Sequence, residues 1–203
     1  MKRHVGIWLM VVALFSCSKE EQAFDDSRKS YTATPVSTSD IFPMEFGAPN
    51  LPKDNPFTEE GIFLGRMLFY DPILSLDSSV SCASCHQQQY AFAEPLDRSF
   101  GIFGLRTSRN AMPLFNLAYS QKFFWDARVS SLRQLVFEPI VAHNEMAMSL
   151  ARLEERLKRN KKYIEYFNKA FNEEPNLYWK SKSFITHISC IVLFFYFGLH
   201  IFN

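Results

Sequence analysis

Residues 81–94 read SCASCHQQQYAFAE and hold two of the chain's four cysteines and one of its five histidines. The spacing is C-x-x-C-H, formed by Cys82, Cys85 and His86. In covalent haem attachment two thiolates add across the haem vinyl groups, and the adjacent histidine ligates the iron. Two intervening residues let the backbone turn once, so both sulfurs reach the same porphyrin and the histidine follows beneath the iron. Two alternatives stay open. A structural zinc ion would usually need a fourth ligand from a second Cys or His pair. A simple disulfide would need nothing more than the two cysteines. A thioredoxin-like redox pair would want a strand before it and a helix after it, and no such pattern surrounds the motif. Cys17 and Cys190 lie far away along the chain.

Haem c is attached outside the cytoplasm, so the haem reading requires an export signal. The first 17 residues supply one: Lys2, Arg3 and His4 precede an apolar run from Val5 to Phe15. That run is shorter than the ~20 apolar residues of a membrane span and has the layout of a signal peptide. LFSC at residues 14–17 resembles a lipobox, although Phe15 is bulkier than the small residue usual there. The expectation is a lipoprotein of the periplasm or cell envelope, held to the membrane through Cys17. An ordinary signal peptide with a chance cysteine is the competing reading.

Composition excludes more than it identifies. A chain of 203 residues, 47% hydrophobic, can build one core. A net charge of +1 argues against electrostatic capture of nucleic acid. Phenylalanine is the outlier at 21 residues, material for an apolar pocket wall or for ordinary core.

Residues 18–55 are polar, carry Pro35, Pro43, Pro49 and Pro52, and lack periodicity, which predicts a tether followed by an irregular arm. Residues 56–178 read as the haem domain. Thr58 suits a helix N-cap, with Glu59 and Glu60 at the positive end. EEGIFLGRMLFY then presents Ile62, Leu64, Leu68 and Phe69 until Pro72 stops it. Residues 94–113 read as loop, and a second helical region spans Ser131 to about Phe137. Ser149 caps a helix bearing Leu150, Leu153 and Leu157, and Asn160 separates it from one whose Ile164, Phe167 and Phe171 share a face. Lys and Arg on the opposite faces read as solvated surface. With no repeat and no convincing strand, the predicted fold is mainly α, a cytochrome-c-like haem domain with long loops.

LGRMLFYDPILSLDSSVSCASCH, residues 64–86, with RNAMPLFNLAYSQKFFWDARVSSLRQLVFEPIVAHNEM, residues 109–146, resembles the di-haem cytochrome c peroxidases and their MauG-like relatives. The resemblance runs from about Asn50 to Glu174. It implies that an N-terminal domain of cytochrome c type carries the peroxidatic haem, while a second domain with its own C-x-x-C-H carries an electron-accepting one. This chain has the first motif. By the same resemblance Cys82 and Cys85 form the thioethers and His86 is the proximal iron ligand. Trp125, in FWDAR, corresponds to a tryptophan relaying electrons between the haems; on residue type alone it would read as core. Asn110, in RNAM, corresponds to a residue that helps hold calcium between the domains, although calcium takes six to eight oxygens and one amide cannot hold it. Glu145 lies 145 − 125 = 20 positions after Trp125, where the family carries its catalytic glutamate. A carboxylate there can move a proton from one peroxide oxygen to the departing one; outside the motif it would read as surface charge.

Two departures stand out. Many family members place a histidine, which blocks the peroxidatic iron, in the loop matching PLDRSFGIFGLRTSRN, residues 95–110; here there is none. The iron is therefore expected to be open without reductive activation. A glutamine frequent at 125 + 10 = 135 is Leu135, beside Gln134. The function implied is reduction of hydrogen peroxide to water with electrons from a small donor protein, a cytochrome c or a cupredoxin. The alternatives are a mono-haem electron carrier, with Met112, Met146 or Met148 as sixth ligand where each would otherwise be core, and an inactive truncated product.

Residues 179–203 leave the resemblance. Phe184–Phe202 lacks Asp, Glu, Lys and Arg and matches the length of a membrane span, with Lys180 and Lys182 on its flank. The expectation is a shift of reading frame after about Tyr178, so that another frame downstream encodes the second C-x-x-C-H. A C-terminal anchor is the competing reading.

Overall fold

Thr58 opens the first helix: its hydroxyl accepts from the Gly61 amide at 3.1 Å, so one of the orphan donors of the first turn is met. The computed structural model describes residues 30–40, 42, 47–51 and 54–175; the leader with Cys17, and residues 176–203 with Cys190, lie outside the described residues. Among the described residues the fold is mainly α, as expected, with long loops and isolated bridges instead of strands. None of the described helices is long and apolar enough to cross a membrane.

Among the described residues five α-helices carry the core: α1 Glu59–Tyr70, α2 Cys82–Cys85, α3 Leu132–Val141, α4 Leu150–Lys158 and α5 Lys161–Phe171. Along α1, Ile62, Leu64, Leu68 and Phe69 are all buried. Leu64, Leu68 and Phe69 meet Leu153 and Leu157 of α4 and Tyr163 and Phe167 of α5 in the main core. Each such side chain contributes roughly 1.5–3 kcal/mol when fully buried. Asp71 ends α1, and the Tyr163 hydroxyl donates to its carboxylate at 2.6 Å, tying α5 to that end. Ser149 caps α4 as its sequence position suggests, and Asn160, which separates the two helices, also caps α5.

Two readings, of α3 and of Arg156, need correction, and that of α5 is sharpened. α3 does not stop near Phe137 but continues through Pro139 to Val141. Proline keeps a helical φ, and the carbonyls at this end are used by the following turn: Met146 donates to Pro139 and Met148 to Ile140. In α5 the fully buried row is Tyr163, Phe167 and Ala170, while Ile164 and Phe171 stay half-buried. Arg156 is no solvated bystander. Its guanidinium donates to the carbonyls of Ile73, Ser75 and Leu76 and to the Ser78 hydroxyl, which pins the loop leading into α2.

The arm before α1 packs against it. Val36 donates to the Phe57 carbonyl and Glu59 to that of Thr34. Phe42 joins Phe57, Ile62 and Ala118 in a small second core.

Candidate functional site

α2 is one turn of helix, and residues three apart lie on the same side of it. Cys82 and Cys85 therefore face the same cavity, which has a volume of about 400 Å³. The turn is fixed by bonds from Ser81 N to Ser84 Oγ and from His86 N to Cys82 O, each 3.0 Å. Both cysteines are half-buried and unpaired. Burial pushes the Cys82 thiol up to about 12, helped by Cys85. It pushes Cys85 up to about 11, with Glu94 and Glu145 adding to it against a hydrogen bond from Ser99.

His86 is oriented by the loop after it. Ala91 and Phe92 both adopt left-handed backbone, at φ 55° and 57°, and Gln87 pairs with Ala93 to close the turn. This closure brings the Phe92 carbonyl to 2.8 Å from His86 Nδ1. A carbonyl only accepts, so Nδ1 carries the proton and Nε2 keeps its lone pair for a metal. Burial holds the His86 pKa below its ordinary 6.5, against the Phe92 and Met112 carbonyls, and so favours the neutral, ligating form.

The opposite parts of the wall come from loops. Phe123 pairs with Val129, and Trp125 stands on the tip between them, 62% exposed. Its Nε1 donates to the Asn110 carbonyl at 3.1 Å. Exposure rules out the core-packing reading of this residue. Asp126 bonds both Arg109 and Arg128, at 2.6 and 2.9 Å, which braces the tip; the Arg109 bond above all holds its pKa down to about 2. Asn110 donates its amide nitrogen to the Leu96 carbonyl. Among the described residues no three His, Cys, Asp or Glu side chains gather as a metal ion would need, so neither a zinc set around the cysteines nor a carboxylate set around Asn110 is present there.

Glu145 is held by its main chain. Its carbonyl accepts from Ile102 at 2.8 Å and its amide donates to Ala142 at 3.1 Å. The loops approach so closely that a Cβ on Gly101 would lie 2.2 Å from the Asn144 carbonyl oxygen and 2.7 Å from that of Glu145. Gly101 is thus a site residue that sequence reading placed merely in a loop. Burial raises the Glu145 carboxyl above its ordinary range, Arg128 opposes this, and Glu138 adds to it.

All six residues singled out from sequence (Cys82, Cys85, His86, Asn110, Trp125 and Glu145) line this one cavity. Met112, Met146 and Leu135 line it too, whereas Met148 is buried in the main core and Gln134 is exposed. The donor chemistry fits a covalently attached haem. Two thiols not joined in a disulfide share one side of a helical turn, the next residue is a histidine whose Nδ1 is held by the Phe92 carbonyl, and the cavity is walled by Phe69, Leu114, Leu117 and Phe124.

Residues 59–191 match the di-haem cytochrome c peroxidase family, a stretch that passes Tyr178, where the resemblance was expected to end. The chain is 37% identical over 174 residues to the methylamine utilization protein MauG of Methylorubrum extorquens, covering 83% of this chain and 48% of that protein. It is 34% identical over 126 residues to the cytochrome-c peroxidase IdrP1 of a Pseudomonas species, covering 61% of this chain and 33% of the other. A crystal structure of a MauG-like protein associated with microbial copper homeostasis superposes with a TM-score of 0.66 at 31% identity, over 75% of this chain and 45% of that one. The chain thus spans about half, or less, of the length of these relatives.

Proposed function

The chain belongs to the di-haem cytochrome c peroxidase family, and from that premise we propose that it forms the peroxidatic haem domain of an exported enzyme reducing hydrogen peroxide to water. The observation that carries this reading is the convergence of Cys82, Cys85, His86, Trp125 and Glu145 on one cavity. Cys82 and Cys85 would hold haem c by thioethers and His86 would offer a ring nitrogen to its iron. Bound there, haem would supply the redox-active iron for peroxide reduction.

The chain's own residues do the rest. Glu145, raised by burial and tempered by Arg128, takes a proton from one peroxide oxygen and returns it to the departing one. Positioned proton transfer of this kind is worth typically 10²–10⁴-fold. Trp125, exposed at the rim, carries electrons inward from a second haem domain or a donor protein, a cytochrome c or a cupredoxin. Residues 95–110 offer no histidine to the cavity, so peroxide reaches it without prior reduction. Calcium enters only with a second domain, since Asn110 offers one amide oxygen of the six to eight required. Export and a lipid anchor at Cys17 complete this reading.

Met112 and Met146 on the cavity wall favour a second reading, a mono-haem electron carrier with methionine as sixth ligand. The absorption spectrum of the oxidised, haem-loaded protein separates the two. The peroxidase reading expects a five-coordinate, high-spin spectrum that changes on adding peroxide. A six-coordinate, low-spin spectrum indifferent to peroxide would replace it with the carrier.

A further inference from the structure

Glu94 is a buried acid with no part in the chemistry described so far. It is 8% exposed, and its Oε1 meets neither solvent nor a hydrogen-bond partner. The turn that orients His86 puts it there. Left-handed Ala91 and Phe92, closed by the Gln87–Ala93 pair, present the Phe92 carbonyl to His86, and Glu94, two residues on, is buried. Glu94 directly follows Ala93, whose backbone pairs with Gln87, the residue after His86, so its backbone is tied one bridge away from the attachment motif. Burying a carboxylate with an unmet oxygen is costly unless another charge compensates.

An iron–porphyrin core brings such a charge. It carries one net positive charge in the ferric state and none after one electron is added. Attraction to a nearby carboxylate therefore exists in the oxidised state alone, and a buried pair is only weakly screened by water and salt. We propose that Glu94 sets the reduction potential of the haem attached at Cys82 and Cys85, its buried carboxylate favouring the ferric over the ferrous state. The inference rests on the haem reading above and adds a positioning charge to it.

Potentiometric titration of the haem-loaded protein, followed by haem absorbance at fixed pH, tests this on the wild type, Glu94→Gln and Glu94→Asp. Removing the charge should raise the ferrous-to-ferric ratio at a given potential at least tenfold, which is about 59 mV for one electron. Glu94→Asp, which keeps the charge, should restore most of the wild-type ratio, and the Gln shift should survive high salt. Glu94→Leu, also neutral, carries the same test if Glu94→Gln does not accumulate. A ratio altered less than twofold in a neutral variant, or a shift abolished by salt, overturns the inference and leaves the haem reading standing. A wild type without covalent haem overturns both.

Discussion

Cys82, Cys85 and His86 sit on or beside a helical turn packed against α1, within the core that α4 and α5 complete. Trp125 and Glu145, across the same cavity, sit on loops that hold their shape through single bridges, left-handed residues and one close backbone approach. The first wall is made by burial of many side chains, and no one contact decides it. The second depends on a few contacts, each of which places a whole functional side chain. Attachment should therefore be robust to local change and chemistry sensitive to it. The substitutions below test that contrast, in order of expected effect on peroxide turnover per haem.

Glu145→Gln should have the largest effect, removing the proton carrier while keeping its shape. Turnover should fall about 10²–10⁴-fold with haem content and spectrum almost unchanged. Equal peroxide consumption by variant and wild type would remove Glu145 from the mechanism.

Gly101→Ala should come next. Its φ suits any residue, −85°, so the effect comes from the new methyl against the carbonyls at 144 and 145. Either the loop at 101 or the backbone at 144–145 must yield; where it is the latter, Glu145 is displaced, and a displacement of about 1 Å can cost roughly 10²-fold. The check is turnover at full haem loading; unchanged turnover would mean that the second wall adapts as freely as the first.

A smaller effect should appear in the pH profile. Glu145 acts ionised when it accepts a proton, so turnover falls as pH drops through its pKa. Burial raises that pKa, which places the acidic limb above the ~4.3 of an ordinary glutamate. Arg128 also contacts Glu138, at 3.7 Å, and Asp126. Arg128→Gln removes the opposing cation and should move the limb up. Glu138→Gln removes a like charge and should move it down. Shifts in the same direction in both variants would contradict the assignment.

Leu68→Ala should change turnover per haem least. Leu68 is fully buried in the main core, and its truncation should cost about 2–5 kcal/mol of stability, read as a lower denaturant midpoint. A large loss of turnover per loaded haem would show that the two walls are coupled.

The same contrast explains what the sequence disclosed. Thr58 and Ser149 announce helix starts by their chemistry, and the apolar spacing along α1 and α4 marks the buried face. Local rules decide both. Cys82, Cys85 and His86 are legible because C-x-x-C-H is the spacing that covalent haem attachment requires. Trp125 and Glu145 gained meaning from a resemblance, since an isolated Trp or Glu has no periodicity to read. Gly101, Glu94 and Arg156 were missed for a related reason. Gly101 matters through its close approach to residues 144–145, Arg156 through its bonds to residues 73–78, and Glu94 through its burial without a partner for Oε1, and no local pattern encodes such features. α3 runs through Pro139 to Val141, and the carbonyls of Pro139 and Ile140 bond to amides at 146 and 148, a pairing across the turn that no local pattern announces.

The claim on which the rest depends is covalent haem at Cys82 and Cys85. A pyridine haemochrome assay on the exported protein, joined to mass analysis of the peptide spanning residues 81–94, measures it directly. The account predicts a c-type spectrum, one haem per chain and a peptide heavier by one haem, all abolished in Cys82→Ser/Cys85→Ser. A haem extractable by acidified solvent, a stoichiometric zinc ion, or a Cys82–Cys85 disulfide in the purified protein would contradict it.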